Sequence, residues 1–351
     1  MPTVPAQEIE RIVYHILRAA GAPDEHARMV AQHLAESNLA GHDSHGLIRV
    51  IQYVQQIKEG AIVPDATPVI ATETPTTAQV DGLHTFGQVA AKFATQVGIN
   101  KAKKSGISCV TIRNLGHLGR LGAYAEMAAL AGFAAIIYSC GAGQGLCQVP
   151  FGGRVRRLST NPIAMSFPSA LEGPILSDIA TAVVAEGKLR VYKASGRRLP
   201  DAWVLDSKGR PSNDPNDFYQ GGALLPLGGS QGHKGYTLAF MAELFGSVLS
   251  RGGFAGSPGE CFSNNSLIIT IDVERFSPLE ILKADVSRMA KHIKDTPLAE
   301  GSQGVLYPGE KEAKTRQERR AKGVEIEDAT WEQVMALIRE YALEDAVGPL
   351  P

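Results

Sequence analysis

At 351 residues, 44% of them hydrophobic and 20% charged, the chain exceeds a single small core and has a globular composition, which excludes disorder and fibrous repeats. A formal net charge of −1 offers no long-range positive field to nucleic acid or an anionic membrane, and no stretch approaches the roughly 18 uninterrupted apolar residues of a membrane span. The expected partner is a small polar molecule.

Ile9, Ile12, Val13, Ile16 and Leu17 recur at helical spacing before Gly21, which predicts an amphipathic helix over 7–20. A second helix is expected from Pro23 to about Leu39. A third begins at Asp43-Ser44, both N-cap types, and continues through Leu47, Val50, Ile51, Val54 and Ile57 to Gly60. Together these make a helical N-terminal lobe. Beyond Pro75 short β-type runs at 108–112, 133–138, 163–167, 175–178 and 267–271 alternate with helical stretches at 88–104, 121–131, 181–194, 235–250, 278–293 and 331–341, so the body is mixed α/β.

GAGQG at 141–145 follows a strand but runs on into CQVPFGG. A dinucleotide fingerprint needs a helix starting inside it, so a Rossmann site is not expected here. Cys109, Cys140, Cys147 and Cys261 show no C-x-x-C spacing, and the start MPTVPAQEIERIV lacks the basic and apolar regions of a signal peptide. Reduced thiols in a cytoplasmic protein are the expectation.

On the expected third helix His45 and Arg49 are four residues apart and share a face. A guanidinium holds a carboxylate through two parallel hydrogen bonds, and an imidazole one turn away exchanges a proton with the oxygen on the adjacent carbon. That pairing suits a 2-hydroxy or 2-keto carboxylate; taken alone, the pair also fits a surface histidine and a solvated arginine. Ser44 fits either a proton relay or a helix cap. His42, Asp43 and His45 lack the spacing of a rigid ligand pair, and no metal is expected.

His117, in RNLGHLGRLGAYAE, falls in a strand-to-helix loop loosened by Gly116 and Gly119. Such loops bring backbone amides and a helix N-terminus to an anion, or are ordinary tight connections. In GHKGYTLAFMAELFGSVL, His233 and Lys234 precede a long apolar helix, where an ammonium beside free amides would suit a phosphate, or simply be solvated. The mixed charges of KEAKTRQERRAKG at 311–323 predict a solvated surface helix.

In order along the chain, AGHDSHGLIRV, FGQVAA, HLGRLGAYAE, STNPIAMSFP, DIATAVVAEGK, GHKGYTLA and VLYPGE make it resemble, nearly end to end, the type-2 malate/L-lactate dehydrogenase family. That family also includes ureidoglycolate and sulfolactate dehydrogenases and piperideine-2-carboxylate reductases.

The resemblance implies an α/β, non-Rossmann nicotinamide-binding fold with a mixed, largely antiparallel sheet and a helical N-terminal lobe. Residues 1–114 with 311–351 would form the substrate part, and 115–310 the cofactor-binding domain. His45 would be the proton donor or acceptor with Ser44 beside it, Arg49 would bind the substrate carboxylate, and Thr160 would contact substrate. The stretch Glu186-Gly187-Lys188 is assigned to the substrate pocket. NAD or NADP would lie against His117, Leu118, Gly119, Arg120 and Leu121, Asp178-Ile179-Ala180, His233-Lys234 and Pro308-Gly309-Glu310. His117 is an alternative catalytic base, and a homodimer with the site near its interface is expected.

Reduction of a cyclic imino acid by NADPH is the rival within enzymes, set back because the imine-reducing branch has an acidic residue where this chain has Lys188. A non-catalytic metabolite-binding protein is the rival outside them.

Overall fold

The structure is a computed structural model that describes residues 1–143, 145–257, 263–348 and 350; Cys261 lies outside them. A short strand β1 (Thr3–Val4) leads into α1 (Ala6–Ala19) and α2 (Asp24–Leu39). The stripe that predicts α1 is its buried face, because Ile9, Ile12, Val13, Ile16 and Leu17 expose nothing. Each such side chain contributes about 1.5–3 kcal/mol by leaving water.

The expected third helix is two pieces. A 3-10 turn (Asp43–His45) is followed by a break at Gly46, and α3 (Arg49–Lys58) starts only at Arg49. His45 and Arg49 therefore do not share a face of one helix. The break is imposed from outside the segment: a Cβ on Gly46 would come within 2.1 Å of Asn38 Oδ1, the atom that accepts from Leu47 N at 2.8 Å. Ser44 sits inside the 3-10 turn and caps neither piece.

The body continues through β2 (Val69–Glu73), β3 (Thr77–Asp81), α4 (Gly87–Ser105), β4 (Ile107–Leu115), α5 (Gly122–Leu130), β5 (Phe133–Ala142), β6 (Ile163–Phe167) and β7 (Ile175–Ile179). A small lobe follows, with α6 (Glu186–Ala194), β8 (Val204–Leu205), β9 (Pro211–Ser212), α7 (Pro215–Tyr219) and β10 (Ala223–Leu224). Next come α8 (His233–Glu243), running into a π-helical turn (Leu244–Val248), then β11 (Ser263–Asp272) and α9 (Leu279–Lys294). The chain ends with α10 (Glu310–Lys322), β12 (Val324–Glu325), α11 (Asp328–Glu340) and α12 (Glu344–Val347).

Seven strands form one sheet in the order β2-β3-β4-β11-β5-β6-β7. Within it β3–β4 is parallel and the other pairings are antiparallel. Late strand β11 is inserted between β4 and β5, so the sheet is not a doubly wound parallel one. The chain leaves β5 at GAGQG through an isolated bridge at Gly143, and no helix starts among the described residues there.

Strand β2 escapes the sequence pattern because all five of its residues are exposed, leaving no alternation to read. The helix expected from 181 starts at Glu186, since Thr181 is tied by its amide to Thr160 O at 3.0 Å and accepts from Leu227 N at 2.8 Å. Val324, Ile326, Val334, Leu337 and Ile338 join the core of α1–α3, so the last segment of the chain completes the N-terminal lobe. Strand β4 spans residue 114, although its register with β11 shifts between Ile112 and Leu115. Among the described residues no helix is long and apolar enough to cross a membrane.

Candidate active site

Two loops meet at the junction of the helical lobe and the sheet. The first carries Ser44 and His45 and is held by two residues, Asn38 of α2 and Arg319 of α10. Asn38 Nδ2 donates to Asp43 Oδ1 at 2.7 Å, Asn38 Oδ1 takes the Leu47 amide, and Arg319 of α10 grips Asp43 with both Nη atoms, at 2.6 and 3.0 Å. Such a two-pronged guanidinium–carboxylate pair fixes orientation as well as distance. The helix at 311–323 is therefore not a simply solvated one: Arg316 also bonds Glu36 and Glu126, and Arg320 bonds Glu36. Every one of these acids lies outside α10, so local charge pattern could not reveal the pairing.

The second loop leaves β4 after Leu115. Gly116 N bonds Thr85 O at 2.9 Å, Leu118 N bonds Asn264 Oδ1 at 2.9 Å, and Arg120 N donates to His33 Nε2 at 3.0 Å. His33, packed on the Tyr124 ring, has its pKa pushed down to about 3 by burial and then by the Arg120 charge. Accepting the amide requires that neutral form. Gly119 has φ +73°, and a Cβ there would stand 2.3 Å from His33 Nε2, so the loop admits only glycine.

These loops bring His45 and His117 together, with ring centroids 5.5 Å apart and planes inclined by 20°. Both residues are half-buried. Burial, then the Arg49 charge, holds the pKa of each well below the ordinary histidine value. His45 Nδ1 lies 3.0 Å from Ser44 Oγ, and His117 Nδ1 lies 3.0 Å from Tyr53 Oη.

Arg49, the first residue of α3, is half-buried, and burial lowers its pKa. Its Nε donates to Ser44 O and Nη1 to Gln52 Oε1, both at 2.6 Å. That uses two of the five guanidinium donors and leaves three. No carboxylate among the described residues pairs with it.

On the other side of the Ser44–His45 turn, a Cβ on Gly187 would stand 3.0 Å from Ser44 Cβ, so the start of α6 lies against Ser44. Glu186 at that start bonds Arg190 at 2.8 Å and Tyr219 at 3.1 Å, while Lys188 is exposed. Thr160 accepts from the amide and hydroxyl of Thr181 through its carbonyl, at 3.0 and 2.9 Å. Next to it, Asn161 takes a left-handed φ of +38°, held by the buried Glu243 at 2.7 Å.

Asp178 on β7 accepts from Gly122 N at 2.7 Å, at the start of α5, which binds Leu121 and the His117 loop to that edge. Burial raises its pKa against that amide. Ile179 is exposed and Ala180 half-buried at the end of the same strand. Pro308 O takes Leu176 N at 3.2 Å, and Gly309, at φ +93°, leaves no room for a Cβ beside Pro174 O. Glu310 is buried; against that burial, Lys294, Lys314 and the Tyr307 amide hold its pKa at about 2. His233 and Lys234 are exposed at the start of α8, with His233 edge-on to Phe151 at 5.7 Å, and among the described residues no hydrogen bond or ring contact joins them to His45 or His117.

Sequence patterns did not single out Tyr53, Gln88, Asn38, His33 or Arg319. For Tyr53 a signal existed, because it follows Arg49 by four residues and so shares its face of α3.

Residues 4–335 match the family model described as malate/L-lactate dehydrogenase. A malate dehydrogenase of Pyrococcus abyssi is 35% identical over 349 residues, covering 97% of this chain and 95% of that protein. Hydroxycarboxylate dehydrogenase B of Escherichia coli is 33% identical over 348 residues, covering 97% and 94%. The crystal structure of malate dehydrogenase from Entamoeba histolytica superposes with a TM-score of 0.93 at 31% identity, covering 100% of this chain and 99% of that one. The chain belongs to the malate/L-lactate dehydrogenase family and is an oxidoreductase of that family.

Proposed function

We propose that the protein interconverts a small 2-hydroxy carboxylate and its 2-keto acid with NAD or NADP as the redox partner. Arg49 carries this reading: a half-buried guanidinium with three unused donors and no carboxylate partner among the described residues is costly unless a ligand supplies the anion. A carboxylate seated there places its adjacent carbon oxygen toward the His45–His117 pair, so binding and proton exchange act on neighbouring atoms. His45 with Ser44, or His117, exchanges the proton. Thr160 and Glu186-Gly187-Lys188 line the substrate pocket.

The chain fits a nicotinamide dinucleotide. Helix α8 has no side-chain cap, so its first amides and exposed Lys234 can meet a phosphate. His233, the loop His117 to Leu121 with Gly119 and Arg120, Asp178 to Ala180 with Ile179, and Pro308-Gly309-Glu310 complete that side. When bound, the dinucleotide supplies the hydride acceptor or donor. Residues 1–114 with 311–351 handle substrate and 115–310 cofactor, as a division of labour across one shared sheet.

Exposed Leu238, Met241, Leu244, Phe245, Val248 and Leu249 along α8 and its extension support a homodimer. Free thiols at Cys109, Cys140 and Cys147 support a reducing compartment, the cytoplasm.

A panel of 2-keto acids and cyclic imino acids, run with NADH and with NADPH, tests the reading. Consumption of reduced cofactor with 2-keto acids is expected. Turnover of imino acids alone, or none at all, overturns it.

A further inference from the structure

The Nδ1 atom of His117 faces two donors. Gly119 N donates to it at 3.3 Å, and an amide N–H can only donate, so this nitrogen carries a lone pair. Tyr53 Oη, 3.0 Å from the same atom, accepts from Gln88 Nε2 at 2.7 Å, which leaves its own hydrogen for the imidazole. Both contacts describe one neutral ring with its hydrogen on Nε2. The reverse polarity would set the Gly119 amide against an Nδ1–H. Tyr53 exposes nothing, and burial pushes its hydroxyl up to about 12, so it remains a donor at neutral pH.

His45 is held differently. Its Nδ1 meets the Ser44 hydroxyl, a group that donates or accepts, so this ring can carry its proton on either nitrogen.

We propose that Tyr53, oriented by Gln88, is a positioning residue that fixes His117 as the Nε2–H tautomer, so that His117 meets the substrate's C2 oxygen only as a hydrogen-bond donor and the Ser44–His45 pair exchanges the proton. The substrate in this statement rests on the hydroxy-acid reading above; the tautomer does not. In the oxidation direction the O–H bond breaks and its proton bonds to the free His45 nitrogen. The oxygen's electron pair closes the C2=O bond as the C2–H bond breaks, and the hydrogen departs with both bonding electrons as the hydride that a bound oxidised nicotinamide would accept.

Nitrogen NMR of the protein labelled with 15N-histidine, with His117 assigned by comparison with His117→Asn, reads the tautomer without substrate. Between about pH 6 and 9 the expected spectrum shows bare Nδ1 and protonated Nε2. A protonated Nδ1 overturns the proposal whatever the substrate proves to be. Tyr53→Phe, which keeps the buried ring, is expected to mix the tautomers and lower kcat at least ~10-fold, with KM for the 2-keto acid moving less than about twofold. Unchanged kcat and spectrum overturn it. His117→Gln keeps a donor and is expected to retain at least ~10-fold more activity than His45→Gln; the opposite ranking assigns the proton to His117.

Discussion

His45 sits on a 3-10 turn and His117 on a strand-to-helix loop, yet their rings stack with centroids 5.5 Å apart. Two imidazolium ions cannot share that spacing beside Arg49, and burial already pushes both pKa values well down. The pair is therefore neutral at neutral pH, and protons enter and leave it singly.

This has a consequence for stability. His33, His45 and His117 all have folded-state pKa values below the unfolded value of about 6.5. Below that pH the unfolded chain binds more protons, so stability is full above about pH 6.5 and falls on acidification. For His33, whose folded value is about 3, the loss is at most about 1.4 kcal/mol per pH unit down to that value. Urea unfolding of wild type and His33→Gln between about pH 4 and 7 should show the shallower dependence in the variant.

Gly60 and Gly119 provide a matched pair, since both have φ +73°. An added Cβ meets nothing within 4 Å at Gly60 but the His33 ring at Gly119. Gly60→Ala should cost about 1 kcal/mol, the left-handed backbone alone. Gly119→Ala should cost at least ~2 kcal/mol more and depress turnover, because His33 or the His117 loop must move. Equal losses in thermal unfolding would contradict the packing described.

Arg319 should matter to chemistry it does not touch. Arg319→Ala releases Asp43 and the turn bearing His45, and kcat is expected to fall several-fold. A double-mutant cycle with Asp43→Asn should give about 1 kcal/mol of coupling, modest because Asp43 is half exposed. Additive losses would show that the pair does not hold the turn.

Lys234 tests the proposed phosphate contact at the start of α8. Lys234→Ala should raise KM for the reduced dinucleotide about tenfold with little change in kcat, and lessen its dependence on salt. Titration of either cofactor at two ionic strengths checks both effects.

Much of this was legible beforehand. Periodicity located α1 and α2, and β6 matches its expected limits, because their buried stripes lie within one segment. Motif order pointed to the two loops that bring His45 and His117 together. What failed did so for long-range reasons: Gly46 breaks the third helix because Asn38 fills its space, and α10 is tethered by acids far away in sequence. Edge strand β2 is exposed throughout and has no inward face to mark it. The Gln88–Tyr53–His117 chain joins three elements, and no spacing rule reaches across them.

Arg49 as the carboxylate anchor is the centre of the account. Steady-state reduction of one 2-keto acid by wild type, Arg49→Lys and Arg49→Ala is its most direct test. Loss of the fork should lower kcat/KM at least ~10²-fold in Arg49→Ala, mostly through KM, with Arg49→Lys between the two. Unchanged kcat/KM in Arg49→Ala would contradict it.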